Sequence, residues 1–130
     1  MGQPAAKQGD TVVATDIHII MIPSPSGAVP TPLPHPFNGI VNGSLSSDVN
    51  VMGRPAAVLG STADNTPLHI PQGGPFQKPP SNRAQIITGS PTVLINGKPA
   101  ARNLDTALTC NDPVDAPMGT VVAAGTVMVA

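Results

Sequence analysis

Gly-X-Pro-Ala-Ala occurs three times in this chain of 130 residues, at 2–6, 53–57 and 97–101. The second and third copies each follow a short run rich in β-branched residues, VNVMG at 49–53 and TVLING at 92–97. Such runs, separated by Asn-Gly and Gly-Ser, are typical of strands joined by tight turns. A mainly helical fold is excluded, because 17 prolines and 13 glycines interrupt the chain and no long apolar stripe has a helical period.

The first copy has no upstream strand of its own, because it begins at residue 2. The C-terminal segments VVAAG (121–125) and TVMVA (126–130) match the segments that precede the other two copies. A chance recurrence of Pro-Ala-Ala does not account for these repeated upstream strands. We therefore predict three β-hairpin repeats around a pseudo-threefold axis, with one repeat split between the two chain ends. Residues 126–130 should pair as a strand beside the first motif, which leaves few sheet edges exposed.

Composition favours a folded β domain over a disordered chain. Hydrophobic residues make up 40% of the chain and charged residues only 10%, a balance that favours burial over solvation. The chain has no Trp, Tyr or Glu, so its core must consist mainly of aliphatic side chains and proline rings. The net charge is −1 and the charges are scattered, which predicts no binding to nucleic acid and no polybasic lipid contact.

We expect no transmembrane segment and no signal peptide. The longest apolar stretch, residues 17–23, is too short to cross a bilayer and contains His18. The N-terminal residues lack a charged region followed by an apolar one. Cys110 is the single cysteine, so no disulfide can form within the chain. These features predict synthesis and assembly in the cytoplasm, with any export by another route.

The spacing of histidine and cysteine predicts a metal site. His18 follows the first motif at the same offset as His69 follows the second, and Cys110 follows the third slightly sooner. A pseudo-threefold axis would bring these side chains to one point, with His35 as a fourth ligand. Three His and one Cys suit a closed, tetrahedral zinc site of structural type. Taken singly, a histidine is more often an ordinary polar side chain and a cysteine a small buried hydrophobe. Iron in the same site is the open alternative.

The three motifs, the segment GSPTVLINGKPAAR at 89–102, and the set of three His with one Cys resemble the PAAR-repeat proteins. The resemblance spans essentially the whole chain and implies a mainly β fold. That fold is a small, cone-shaped, pseudo-threefold, β-prism-like domain with Pro/Gly-rich apical loops and a metal ion near the apex. His18, His35, His69 and Cys110 resemble the zinc ligands of the family in type and order. A single domain over 1–130, with no fused effector domain, is expected.

The resemblance also implies a function. Members of this family cap and sharpen the spike of contractile injection systems, including type VI secretion, for puncturing a target membrane. The expected partner is a homotrimeric spike protein of the VgrG or phage-spike type, with one copy of this chain per trimer. We expect docking through the base of the cone, with apolar residues such as Val51, Val93 and Val127 on that face.

The chain departs from the family pattern in places. The Arg that completes the motif is present as Arg102, but Lys7 and Val58 stand in the other copies, and the Gly-Asp pair that follows is complete only at 9–10. Because of these changes, the sequence does not predict the conformation of the turns after the motifs. The proline-rich segments 22–37 and 71–80 predict long apical loops.

Two alternative functions are considered. A zinc hydrolase needs an open coordination position and usually a carboxylate base. Cys110 would fill the fourth position, and Asp16 and Asp112, near the predicted ligands, are interpreted equally well as turn residues or as acceptors for ligand hydrogen bonds. We therefore expect no enzymatic activity. The second alternative is an adaptor that carries noncovalently bound effectors to the spike.

Overall fold

A computed structural model describes residues 2–130, which form twelve β-strands and no α-helix, so this part of the chain has no helix able to cross a membrane. The strands are β1 (Gln3–Pro4), β2 (Thr11–Ile22), β3 (Val29–Gly43), β4 (Asn50–Val51), β5 (Arg54–Pro55), β6 (Thr62–Asn65), β7 (Arg83–Ile86), β8 (Leu94–Ile95), β9 (Lys98–Pro99), β10 (Thr106–Thr109), β11 (Ala116–Val122) and β12 (Met128–Val129).

Six of these strands close into a barrel in the order β10-β11-β2-β3-β6-β7. Every neighbouring pair in the barrel is antiparallel. The pairs β2–β3, β6–β7 and β10–β11 are hairpins, and each follows one Gly-X-Pro-Ala-Ala motif along the chain. The predicted fold class, a mainly β domain built from three hairpin repeats, is confirmed.

Small residues allow the barrel to close around a narrow core. Phe37 is its largest fully buried side chain. A Cβ atom on Gly39 would lie 2.6 Å from the Phe37 ring, and one on Gly119 would lie 2.9 Å from the side chain of Val12. Other small residues that are buried in this core are Ala63, Ala84 and Ala107. Glycine and alanine are therefore needed here because larger side chains would not fit, and not because a turn requires them.

The three motifs meet around the pseudo-threefold axis. The second alanine of each copy donates its backbone N–H to the carbonyl of another copy, at 2.9 Å from Ala6 to Ala101, 3.0 Å from Ala57 to Ala6, and 3.1 Å from Ala101 to Ala57. The three residues are buried, with exposed fractions of at most 1%. Only a small side chain can stand so close to the axis, which explains why alanine recurs at this position.

The same turn follows each motif despite the sequence differences. The backbone N–H after the second alanine donates to a side-chain oxygen three residues later. These pairs are Lys7–Asp10, Val58–Ser61 and Arg102–Asp105, with distances of 3.0, 2.9 and 2.7 Å. In the first and third copies the two side chains also form an ion pair. Ser61 replaces the carboxylate where no basic partner is present, so the turn is kept with different chemistry.

The remaining strands of residues 2–130 pair as β12–β1, β4–β5 and β8–β9, here named the basal hairpins. The turns of the second and third have positive φ at both central residues, 51° and 82° at Met52-Gly53 and 51° and 78° at Asn96-Gly97, which is type I′ geometry. In the first hairpin the two chain ends stand in place of a turn, with Gln3 opposite Val129. The prediction that the C-terminal segment pairs beside the first motif is confirmed, over Met128–Val129.

A second, smaller core lies among the basal hairpins. Its buried members are Ala5, Val51, Ala56, Ala100 and Val129. Val51 is only 6% exposed, so its predicted place on an exposed docking face is wrong, and Val93 packs against the same cluster. Successive side chains of a strand point to opposite faces, and these two valines lie on faces that point inward. The apolar side chains of the basal hairpins that do face solvent are Met52, Leu94 and Met128, with exposed fractions of 53%, 62% and 56%.

Opposite the base, β2 and β3 extend beyond the barrel. β2 pairs with β11 only over 11–13 but with β3 over its whole length, so residues 16–22 and 29–35 form a protruding hairpin, the apical arm. Segments 75–77 and 111–112 bond to its β2 edge, for example through Met21 N–H to the Pro75 carbonyl at 2.9 Å. The prediction that 22–37 forms a loop is wrong for residues 29–37, which belong to β3.

Candidate metal centre

The predicted ligands come from different elements that meet where the apical arm leaves the barrel. His18 lies on β2 and His35 on β3, His69 follows β6, and Cys110 follows β10 directly. All four residues are buried. The ring centroids of the three histidines are 4.9 to 5.5 Å apart. The structure therefore brings residues that are far apart in sequence into one cluster.

One acidic residue belongs to the same cluster. The potential ligand atoms of Asp16, His18, His69 and Cys110 all lie within 4.8 Å of one another. His35 stands beside this set, with its ring centroid 5.5 Å from those of His18 and His69. From the sequence, Asp16 was interpreted as a turn residue or as an acceptor for a ligand hydrogen bond. One signal could have placed it in the cluster: it lies two residues before His18 on a strand, and alternate residues of a strand face the same side.

His18 is the residue that best fits a metal. Among residues 2–130, the buried side-chain nitrogen and oxygen atoms that lack a hydrogen-bond partner are Nδ1 and Nε2 of His18. A buried polar atom left without a partner is costly, and such atoms are rare in native proteins. The nearest carboxylate oxygen, Oδ2 of Asp112, is 3.6 Å from Nδ1. A metal ion bound at one ring nitrogen would remove the penalty at that atom.

The other predicted ligands are oriented by hydrogen bonds. His35 Nδ1 lies 2.9 Å from the Leu33 carbonyl, so it donates and leaves Nε2 with a free lone pair. His69 Nε2 lies 2.9 Å from Asp16 Oδ2, and Cys110 Sγ lies 3.4 Å from the same oxygen. The bond from His35 to the Leu33 carbonyl, made by the ring nitrogen that would not bind an ion, is of the kind that orients ligands in protein metal sites.

Burial sets the protonation of two of these groups in the metal-free protein. It lowers the pKa of His18 below its ordinary value, although the carboxylate of Asp112 acts in the opposite direction. Burial also raises the pKa of the Cys110 thiol to about 11, and Asp16 adds to this rise, while backbone hydrogen bonds from Asn82 and Arg83 oppose it. At neutral pH the metal-free centre therefore contains a neutral His18 and a protonated Cys110.

Two openings in the surface lead to the cluster. A cleft of about 230 Å³ between segments 78–81 and 110–115 is lined by His18 and Cys110. A groove of about 270 Å³ on another side is lined by His35 and His69, beside the exposed side chains of Leu68 and Ile70. The donor set of two or three imidazoles, a thiol and a carboxylate, in a buried cluster, could hold a metal ion such as zinc.

Comparison with known proteins gives one match. A family model described as PAAR motif matches residues 31–114 and again residues 76–130. No curated protein matches the chain. The two matched stretches together include the second and third Gly-X-Pro-Ala-Ala copies. They also include three of the four predicted ligands, His35, His69 and Cys110.

Proposed function

This chain belongs to the PAAR-motif family, and on that basis we propose that it is the metal-stabilised tip that caps and sharpens the trimeric spike of a contractile injection system, for puncturing a target membrane. At the level of the family, the role is that of a structural spike-tip protein in a secretion or injection system. In this proposal the chain is assembled in the cytoplasm and leaves with the apparatus, and it has no catalytic function.

The observation that carries the proposal is the pseudo-threefold base. Three copies of one motif bond to one another in a ring, and a hairpin stands outside each copy. A single polypeptide with this arrangement presents three similar edges to a partner with true threefold symmetry. A homotrimeric spike of the VgrG type is such a partner, and we propose one copy of the chain per trimer.

The contact chemistry at this face is mainly apolar. Met52, Leu94 and Met128 stand exposed on the basal hairpins, and because each is already about half buried, completing its burial contributes about 1 to 2 kcal/mol. Backbone groups at the hairpin edges supply main-chain hydrogen bonds in the manner of strand addition. The proposed docking face is therefore formed by these hairpins, on the opposite side of the barrel from the metal centre.

We propose a structural zinc ion held by His18, His35, His69 and Cys110. The elements that carry these residues are β2, β3 and the segments after β6 and β10, and no disulfide can join them because Cys110 is the single cysteine. A bound ion would tie them together and stabilise the folded state, since ligands of this kind are not preformed in an unfolded chain. A rigid apex suits a tip that must pierce a membrane. Elemental analysis of purified, tag-free protein should find one zinc ion per chain.

Co-purification with the spike protein tests the function itself. The two proteins are expressed together and the spike is captured by a tag. Wild-type chain should be retained, whereas Leu94→Asp combined with Met128→Asp should reduce retention at least about tenfold, because two charges would be buried at the contact. Val29→Asp combined with Met118→Asp, at exposed apolar positions on β3 and β11, is the matched control and should bind normally. Failure of the wild-type chain to co-purify would contradict the proposal.

A further inference from the structure

Asp16 is a buried carboxylate without a permanent cationic partner. Its side chain is fully buried. Within residues 2–130, the ion pairs of lysine and arginine are Lys7–Asp10, Arg83–Asp64 and Arg102–Asp105, and none of them involves Asp16. Removing a carboxylate from water costs several kcal/mol unless a partner compensates for it, by an order-of-magnitude estimate. No lysine or arginine among these residues therefore compensates the carboxylate, and its side-chain partners are His69, Cys110 and Asn111, which belong to the cluster or lie beside it.

The carboxylate stands among the donor atoms that a metal would bind. Oδ2 lies 2.9 Å from His69 Nε2 and 3.4 Å from Cys110 Sγ. Donor atoms that share one zinc ion, each at about 2.0 to 2.3 Å from it, lie roughly 3 to 3.7 Å apart. The separations around Oδ2 are close to this range. Oδ2 thus occupies a place that suits a ligand.

The hydrogen bonds of His69 show which of its ring nitrogens faces Asp16. The Asn65 amide is oriented by two bonds, from Asn38 N–H to Oδ1 at 2.9 Å and from Nδ2 to Asn82 Oδ1 at 3.0 Å. Its Nδ2 therefore donates to His69 Nδ1, at 3.3 Å, so in the metal-free protein the ring proton is on Nε2 and is donated to Asp16 Oδ2. An ion at Nε2 would take the place of this proton, which would move to Nδ1 as the Asn65 amide turns to accept it. Such an ion would stand next to Oδ2.

Charge is compatible with this placement. Three neutral imidazoles and one thiolate leave a divalent ion with a net charge of +1 inside a buried site. Asp16 offsets this charge, and the carboxylate of Asp112, whose Oδ2 lies 3.6 Å from His18 Nδ1, is a second acidic group beside the centre. Because buried net charge is costly, acidic groups next to the ion stabilise the bound state.

We propose that Asp16 is itself a metal ligand, through Oδ2, in addition to the three histidines and the cysteine. This inference rests on the proposed metal centre and deepens it. The residue supplies a hard oxygen donor to a site otherwise made of nitrogen and sulfur, and its negative charge offsets part of the charge of the ion.

Cobalt(II) is the probe that tests the proposal, because its visible absorption reports the ligand set directly. Metal-free wild-type protein, Asp16→Asn and Asp16→Glu are titrated with Co²⁺, and then with Zn²⁺ in competition. We expect Asp16→Asn to shift the visible bands and to weaken binding at least about 100-fold, and Asp16→Glu to recover part of the affinity. Loss of a hydrogen-bond partner alone costs about 10- to 100-fold in metal affinity, so the change in the bands is the deciding result. Asp115→Asn, an exposed aspartate beside the same cleft, is the control for charge loss and should change neither quantity.

The outcomes separate this inference from the proposed centre. Unchanged bands in Asp16→Asn would overturn the role of Asp16 as a ligand while leaving the centre in place. Wild-type protein that binds neither ion would overturn both. If Asp16→Asn does not fold, a crystal structure of the zinc-loaded wild type decides instead. A distance of about 2.0 to 2.2 Å from the ion to Oδ2 supports the proposal, and a distance beyond about 2.8 Å overturns it.

Discussion

In the proposed metal centre, Cys110 is the residue whose chemical state would change most on metal binding. Its thiol has a pKa of about 11 in the metal-free protein, so it is protonated at neutral pH. A metal binds the thiolate, which means that binding has to displace this proton. His18 needs no such change, because its lowered pKa keeps it neutral already at pH 7.

We predict that zinc binding at pH 7 releases about one proton per ion from Cys110. The affinity should rise with pH below the thiol pKa and fall as the solution is acidified, because protons compete with the metal for the same sulfur. Calorimetric titrations in buffers of different ionisation enthalpy measure the number of protons released. Cys110→Ser should bind zinc more weakly and should not release this proton. Equal release from the wild type and the variant would contradict the assignment of Cys110.

At this scale the sequence predicted His18, His69 and Cys110 because similar offsets from a repeated motif do not depend on local structure. Asp16 could not be ranked in the same way. Aspartate is common in turns, and its importance here depends on the burial of β2 and on the position of His69 across the barrel. His35 was predicted from its residue type alone, and it stands beside the compact set rather than within it.

Among the elements, β3 shows how proline can form part of a strand. Pro30, Pro32 and Pro34 pair with Met21, Ile19 and Ile17, in that order. The N–H groups of those β2 residues bond away from β3, to Pro75, Asp112 and Asn111. In an antiparallel pair, the backbone groups of two directly opposed residues either bond to each other or both point away from the partner strand. The backbone nitrogens of the three prolines therefore face the outer edge of the arm. The prolines remove every second N–H donor from that edge of β3, and no hydrogen bond between β2 and β3 is lost.

This arrangement suggests that the prolines block pairing with other chains. An exposed strand edge is a template for association, and proline at the edge prevents it. We predict that Pro32→Thr combined with Pro34→Thr converts the monomer into dimers or larger species at micromolar concentration, as measured by size exclusion with light scattering. Pro25→Thr, in the turn of the same hairpin, is the control and should remain monomeric. A monomeric double variant would show that the edge is protected by other means.

Strand prediction succeeded where short β-branched runs ended at Asn-Gly or Gly-Ser, as at β8–β9. It failed at β3, because alternating proline is usually a sign of a loop, and only the register with β2 shows that these positions need no N–H donor. Local sequence patterns could not predict the six-stranded barrel either, because it is closed by pairing between β11 and β2, which are far apart in the sequence.

In the whole molecule, the two chain ends complete one repeat. Val129 is buried in the basal core, and the Val127 carbonyl accepts a hydrogen bond from Ala5 at 2.8 Å. Deleting residues 125–130 should therefore lower the free energy of unfolding by about 3 kcal/mol or more, from the lost burial and the unpaired first motif. Urea denaturation measures the change. Met128→Thr, at an exposed position of the same strand, should have little effect. An unchanged unfolding midpoint in the truncated protein would contradict the split repeat.

The last prediction concerns the symmetry and chemistry of the spike complex. One chain carries three similar basal hairpins, so a single copy occupies all three positions that a trimer presents, and the mass of the purified complex should correspond to one chain per trimer. Lys7 and Arg102 are already paired within the chain, to Asp10 and Asp105. The exposed cations that residues 2–130 place on the basal hairpins are two, Arg54 and Lys98, too few to dominate the contact. Apolar burial and main-chain hydrogen bonds should dominate, so Kd should change less than about threefold between low salt and about 0.3 M salt, where exposed charges are largely screened. Three chains per trimer would show that the pseudo-threefold base does not match the spike axis. Dissociation at moderate salt would show that charge, rather than the exposed Met52, Leu94 and Met128, holds the two proteins together.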